Sequence, residues 1–146
     1  MAKIKNKDHT DGLQLKSIEI LNETLNLPSV PDVSLHNFSF KVGITHKADT
    51  DNKLLFVIVS VEIRNEDQIH LLGSLAVSCI YSVTGFDDVV RVKADGNLDL
   101  PQLLVEKMNT LSISTTRGIM FSAFKGTFLH NAFLPLIDPH SFQQIN

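Results

Sequence analysis

Two neighbouring stretches of the chain alternate apolar and polar residues with the period of two that is typical of a half-buried β-strand. Residues 38–45, FSFKVGIT, are apolar at every second position. Residues 54–64, LLFVIVSVEIR, are apolar on one face throughout and on the other face over their first half. The polar stretch 48–53 between them has the Asp, Thr and Asn composition of a hairpin loop. The pattern predicts two antiparallel strands, the second of them covered on both faces.

Two further strands flank this hairpin. From Gly12 to Leu27 the alternation changes phase near Ser17, which predicts a long edge strand with a bulge or bend at that point. Pro28 and Pro31 then end regular pairing, because proline has no N–H to donate to a ladder. Residues 69–85 again alternate and predict a fourth strand. Four successive strands with short polar loops are typical of an antiparallel meander.

The second half of the chain changes character. Residues 103–124 have apolar positions three, four, seven or eight apart, which predicts the main helix. Pro101 suits the first turn of that helix, and Gly126 suits its end. Gly118 and several β-branched residues weaken the middle and allow a break at residues 109–112.

The predicted fold is therefore α+β. A four-stranded antiparallel meander is followed by a polar crossover segment (86–100), one main helix with a possible break, and an apolar, proline-containing C-terminal segment (127–146) extended across the body. Residues 1–146 form a single domain in this prediction, with residues 1–11 as a disordered tail. A four-stranded sheet has two faces, and one helix with one segment covers only one of them. We therefore expect a homo-oligomer formed through the sheet.

Composition and charge narrow the functional classes. The formal net charge is −3, which argues against a nucleic-acid or anionic-membrane surface, since such surfaces need excess Lys and Arg. The single cysteine, Cys79, lies in an apolar strand pattern and is expected in the core. The longest apolar run, 54–59, is too short to span a bilayer, and the charged N-terminus does not resemble a signal peptide. The expected location is the cytoplasm.

No motif predicts an enzyme, a cofactor or a metal. No two of the six histidines lie three or four residues apart, so no element presents an adjacent ligand pair. Ser112 or Ser114 could be combined with His130 and Asp138, but nothing resembling a nucleophile elbow surrounds either serine. The seven glycines form no phosphate loop, and the neighbouring Asp87 and Asp88 are expected to be solvated.

Two blocks of sequence resemble the SecB family of protein-export chaperones. Residues 73–88, GSLAVSCIYSVTGFDD, are similar to a family strand that ends in an aromatic, a small polar and an aliphatic residue before a glycine turn. Residues 116–128, TRGIMFSAFKGTF, resemble the family helix that begins with arginine and ends in a basic-Gly-Thr-Phe stop. The spacing from Phe128 to Pro135 and on to Phe142 also follows the family pattern. The resemblance covers nearly the whole chain from Leu13.

The resemblance implies an ATP-independent chaperone that holds unfolded or precursor polypeptides in apolar grooves, assembled as a homodimer or a dimer of dimers. The grooves would form between the crossover segment, the main helix and the sheet. Each candidate groove residue also has a simpler explanation as core packing. The candidate polypeptide-binding residues are Leu98, Leu100, Leu103, Leu104, Phe121, Phe124, Phe128 and Phe133.

Two roles remain open within this resemblance. Family members that deliver clients to the translocase motor carry acidic residues on the first strand and its turn. Here that stretch, SIEILNETLN, has only Glu19 and Glu23, out of the expected places, and the chain ends at Asn146 without a counterpart of the family's long C-terminal helix. The alternative is a module dedicated to one partner, such as a chaperone associated with a toxin–antitoxin pair. An enzyme or small-ligand carrier with a pocket under the crossover segment is a third hypothesis.

Overall fold

A computed structural model describes residues 12–28 and 36–138. The predicted tail 1–11, Pro31, and the end of the C-terminal segment with Phe142 lie outside the described residues. The elements in chain order are β1 (Gln14–Leu25), β2 (Phe38–Asp49), β3 (Leu54–Asn65), β4 (Leu71–Ser82), α1 (Phe86–Val89), β5 (Arg91–Val92), β6 (Leu98–Asp99) and α2 (Gln102–Ala123).

The predicted α+β fold with a four-stranded antiparallel sheet is confirmed, with one correction to the strand order. The order in the sheet is β1-β4-β3-β2, so only β2, β3 and β4 form a meander. The first strand lies beside the fourth because the connection 26–37, which contains Pro28 and Pro31, is too long for a hairpin turn. β1 and β2 lie at opposite edges of the sheet, and the strand order is that of a Greek key.

The bulge predicted near Ser17 is present. The register of β1 against β4 shifts between Leu15 and Ser17, and again between Ile20 and Asn22. The two shifts keep apolar side chains of β1 on one face: Leu15 pairs with Tyr81, and Ile18 with Cys79. That face is also the one on which the core is built.

The core lies between α2 and one face of the sheet. Alternate residues of β3 are at most 1% exposed: Leu55, Val57, Val59, Val61 and Ile63. Leu104, Met108 and Met120 of α2 are equally buried and pack against this face. On the opposite face, Phe56 and Ile58 are half-buried. The predicted second apolar face of β3 therefore exists over its first half.

The helix α2 is continuous, which corrects the break allowed at residues 109–112. Its weak helix formers are stabilised by tertiary contacts, which override intrinsic propensity. Ser112 and Thr116 are fully buried, and Ile113 is only 4% exposed. The Thr116 hydroxyl donates to the Ser112 carbonyl at 2.7 Å, and Gly118 lies on the exposed side. The helix starts after Pro101 at its N-cap, and Gly126 follows its end with φ of 80°.

The crossover segment is more ordered than its polar composition predicts. It contains the short helix α1 and a hairpin of β5 and β6, closed by a turn in which Gly96 has φ of 86°. Phe86 is 6% exposed, and Leu98 and Leu100 are 8% exposed, so these apolar residues anchor the segment to the core. No helix among the described residues is both long and apolar enough to cross a membrane.

Candidate functional site

The eight candidate binding residues separate by exposure. Four of them are core residues with at most 8% exposure: Leu98, Leu100, Leu104 and Phe124. Phe128 is partly buried against the same core. Leu103, Phe121 and Phe133 are 63%, 55% and 56% exposed. Only these last three are accessible to a partner in the described conformation. The other five pack in the core or against it.

Phe121 and Phe133 form a stacked pair on the surface. Their ring centroids are 6.3 Å apart with an interplanar angle of 17°. Phe121 belongs to α2 and Phe133 to the C-terminal segment, so the stack joins the helix to the segment that follows it. Each of the two residues is still more than half exposed. The pair is an exposed aromatic contact of a kind that is common at binding surfaces.

Arg117 lies one helical turn before Phe121 and holds the same segment through its backbone. The Arg117 Nε donates to the carbonyl of Leu134 at 3.1 Å, and its Nη2 donates to the carbonyl of Pro135 at 3.0 Å. Leu134 is 3% exposed, whereas Leu136 is 95% exposed. The C-terminal segment thus lies on α2 with one leucine buried and the next one open to solvent.

The outer face of α2 adds a shallow apolar strip. Leu103, Leu111 and Phe121 are exposed on it, with Ser114 and Gly118 between the last two. A Cβ built on Gly118 would meet no atom of the described residues within 4 Å. The space beside Gly118 is therefore open to side chains of a partner.

The strand β1 presents apolar residues that the sequence analysis did not single out. Five of its large apolar side chains are between 43% and 52% exposed: Leu15, Ile18, Ile20, Leu21 and Leu25. Most of them point to the sheet face that α2 covers elsewhere, and β1 is an edge strand. The predicted edge position of β1 was the available signal. An edge strand beyond the reach of the helix leaves its inward face uncovered.

A buried polar cluster joins α2 to β4. The Tyr81 hydroxyl lies 2.8 Å from Ser112 Oγ and 3.4 Å from the Met108 carbonyl. Burial raises the pKa of Tyr81 to about 12, although the hydrogen bond with Ser112 opposes the shift. Burial also raises the pKa of the Cys79 thiol, so this cysteine stays protonated in the core, as predicted.

Two of the residues considered as a catalytic set, Ser112 and His130, make other contacts. Ser112 is buried against Tyr81, and the His130 ring bonds the Thr127 carbonyl at 2.7 Å. Within residues 12–28 and 36–138, no three His, Cys, Asp or Glu side chains are grouped so as to hold a metal ion.

A cleft of about 490 Å³ opens at one end of the sheet. Lys16, Lys53, Asp87 and Asp88 line it together with Phe86 and its neighbours. Lys53 and Asp87 form an exposed ion pair at 2.8 Å, and Asp88 is exposed, in agreement with the prediction that the two aspartates are solvated. The cleft is wide open and its charges partly neutralise each other, unlike a closed small-ligand pocket.

The order of elements, the sheet topology and the long helix packed on one sheet face define a SecB-like α+β fold. A solved structure with this fold is the Mycobacterium tuberculosis Rv1957 SecB-like chaperone in complex with a ChAD peptide from the Rv1956 HigA1 antitoxin. The match covers 87% of this chain and 86% of that chain, with a TM-score of 0.53 and 12% sequence identity. At that identity the similarity establishes the fold. No family model and no curated protein matches the sequence.

Proposed function

We propose that this protein is an ATP-independent SecB-like chaperone that binds unfolded polypeptides on apolar surfaces of β1, α2 and the C-terminal segment. The observation that carries the proposal is the exposure of five large apolar side chains on β1, together with that of Leu103, Leu111 and Phe121 on α2. Soluble proteins rarely leave many large apolar side chains of one strand uncovered unless they bind a partner.

The chemistry of this surface suits an extended polypeptide. A chain bound through apolar side chains and backbone contacts needs no catalytic group and no nucleotide. The surface combines aliphatic side chains, two aromatic rings and an arginine that already bonds backbone carbonyls. Such a set favours unfolded segments rich in apolar residues over one folded shape.

Assembly as a homodimer or a dimer of dimers belongs to the same proposal. An edge strand is a template for pairing, and a second copy would add its own β1 to this edge while the apolar inward face of β1 stays open to a client. Native mass spectrometry at micromolar concentration checks this point. A chain that stays monomeric there contradicts the assembly and leaves the binding surface to be tested separately.

A dedicated partner is the second candidate. The Rv1957 SecB-like chaperone was solved with a peptide from an antitoxin, so this fold can serve one specific protein. Affinity capture distinguishes the two roles, since a dedicated module returns one stoichiometric partner and a general chaperone returns many unfolded chains. Delivery to an export motor does not belong to the proposal, because β1 carries only Glu19 and Glu23 as acidic residues.

The decisive experiment measures the aggregation of an unfolded substrate by light scattering, without nucleotide. The double variant Leu103→Ser/Leu111→Ser removes two exposed apolar side chains from α2. The control Ile69→Ser removes another one, 70% exposed, that lies outside β1, α2 and the crossover segment. We expect the natural protein and the control to slow aggregation and the α2 variant to be several-fold weaker. No effect of the natural protein at several-fold excess contradicts the chaperone function.

A further inference from the structure

Part of the contact between the C-terminal segment and α2 is made to the backbone of the segment and does not depend on its side chains. Arg117 donates its two hydrogen bonds to the carbonyls of Leu134 and Pro135, at 3.1 Å and 3.0 Å. Every residue of any polypeptide carries such a carbonyl. The arginine would therefore accept another extended chain at the same place, provided that the C-terminal segment moved away.

The side chains around this contact are packed unevenly. Phe133 rests on Phe121 while 56% of it stays in solvent, and Leu136 is 95% exposed. Leu134 is inserted, at 3% exposure, and Ile137 is partly buried against the core. One buried aliphatic residue, one stacked ring and two backbone hydrogen bonds are a set of contacts that an extended apolar peptide can reproduce.

The preceding residues are anchored independently. The Thr127 hydroxyl donates to the Phe124 carbonyl at 2.7 Å, Leu129 is 1% exposed and Ala132 is 5% exposed. Residues 133–136 can thus leave α2 while residues 127–132 keep their place in the core. Leaving α2 would expose Leu134, which is as buried as Ala132 and belongs to the same core cluster.

We propose that residues 133–136 occupy a polypeptide-binding subsite of their own protein and that a client displaces them. In this subsite Arg117 binds the client backbone, Phe121 stacks on an apolar or aromatic side chain, and the position of Leu134 takes a second apolar side chain. The identity of the natural client rests on the proposed chaperone function. The subsite itself is tested without a client.

The test uses the full chain and a labelled peptide with the sequence of residues 131–138, NAFLPLID, followed by fluorescence anisotropy. Phe133→Ser in the protein weakens the internal segment and should raise its affinity for the peptide about threefold to tenfold. The matched control Leu136→Ser changes a fully solvated residue of the same segment and should bind like the natural protein. Equal affinity of all three proteins overturns the proposal.

Arg117 is tested in the weakened background. Adding Arg117→Ala to Phe133→Ser removes two backbone hydrogen bonds and should lower peptide affinity about tenfold. The control Lys107→Ala removes an exposed cation elsewhere on α2 and should leave affinity unchanged. A loss of the same size in both variants means that charge, and not backbone recognition, holds the peptide, which overturns the role assigned to Arg117.

Hydrogen exchange then reports displacement directly. Saturating unlabelled peptide should speed amide exchange in residues 133–138 and leave residues 127–132 protected. Peptide binding with unchanged exchange in 133–138 overturns the displacement. If the natural protein prevents aggregation but neither variant nor peptide behaves as expected, the subsite is wrong and the chaperone function stands. If the peptide binds as expected but unfolded substrates gain no protection, the subsite stands and the chaperone function is wrong.

Discussion

His46 Nε2 lies 2.7 Å from Oδ1 of Asn109, which joins the edge strand β2 to the middle of α2. Asn109 is fully buried, and His46 pairs with the apolar Val57 across β2 and β3. Because Oδ1 can only accept, the Nε2 of His46 carries the proton. His46 Nδ1 and Asn109 Nδ2 are buried without a hydrogen-bond partner within residues 12–28 and 36–138. The contact is therefore suited to a neutral imidazole.

The first prediction is that the protein loses stability in mild acid through His46. Burial lowers the pKa of His46 from its usual 6.5, and the hydrogen bond with Asn109 opposes the shift only in part. The unfolded chain therefore binds more protons than the folded one below about pH 7. The stability is fully present above the pKa that His46 has in the unfolded chain. It falls as the pH drops towards the lower pKa that His46 has in the folded protein. Each unit of pKa difference corresponds to about 1.4 kcal/mol.

Urea denaturation at about pH 7.5 and about pH 5 measures this effect. His46→Gln should lose less stability between the two conditions than the natural protein, whatever its stability at neutral pH. His130→Gln, at an exposed position, is the control and should retain the natural pH dependence. If His46→Gln lost as much stability between the two pH values as the natural protein, a group other than His46 would be responsible for the effect.

The second prediction concerns the hydroxyl pair of Tyr81 and Ser112, which are 2.8 Å apart and buried. Tyr81→Phe removes one partner and leaves the Ser112 hydroxyl buried, so the free energy of unfolding should fall by about 1–3 kcal/mol. The double variant Tyr81→Phe/Ser112→Ala removes both hydroxyls and should be destabilised by less than the sum of the single variants. Strictly additive values from urea unfolding would show that the two hydroxyls do not interact.

The third prediction uses a close approach at Gly73 on β4. A Cβ at this position would lie 2.6 Å from Leu129 Cδ1 and 3.1 Å from the Thr24 carbonyl oxygen. Gly73→Ala should therefore destabilise the fold by about 1–3 kcal/mol, because Leu129 is itself buried. Gly43→Ala on β2 meets no described atom within 4 Å and is the matched control. Thermal unfolding of the two variants gives the comparison, and an equally small shift in both would contradict the packing.

Features that depend on residues close together in the sequence, such as individual strands and a bulge, were predicted from local patterns. The alternation in 54–64 predicted β3, and the phase change at Ser17 predicted a bulge in β1. The position of β1 beside β4 was not predictable in this way, since it depends on where a long connection leads. The break near Asn109 was wrong for a related reason, because contacts distant in sequence stabilise weak helix formers.

The candidate site was likewise predictable from the sequence only in part. Apolar character identified the eight candidate residues, but exposure depends on which side of α2 faces the sheet, and apolar spacing alone left Leu103 and Leu104 equivalent. The stack of Phe121 on Phe133 needs the turn at Gly126 to bring the C-terminal segment back onto the helix. Asn109 and His46 lie 63 positions apart, and only the folded sheet brings them into contact.

The last prediction uses two neighbouring leucines of α2 to distinguish a residue that stabilises the fold from one that binds unfolded substrate. Leu104 is fully buried and Leu103 is 63% exposed, although both are leucines of α2. Leu104→Ala should lower the free energy of unfolding by about 2–5 kcal/mol, through lost transfer energy and the cavity left behind. Leu103→Ala should change stability by less than about 0.5 kcal/mol and should weaken the binding of unfolded substrate. Urea unfolding and substrate binding, measured on both variants at a temperature where each is folded, distinguish the two effects. Unaltered binding by the Leu103 variant would exclude this residue from the binding surface, and a negligible cost for the Leu104 variant would contradict the position of α2 on the sheet.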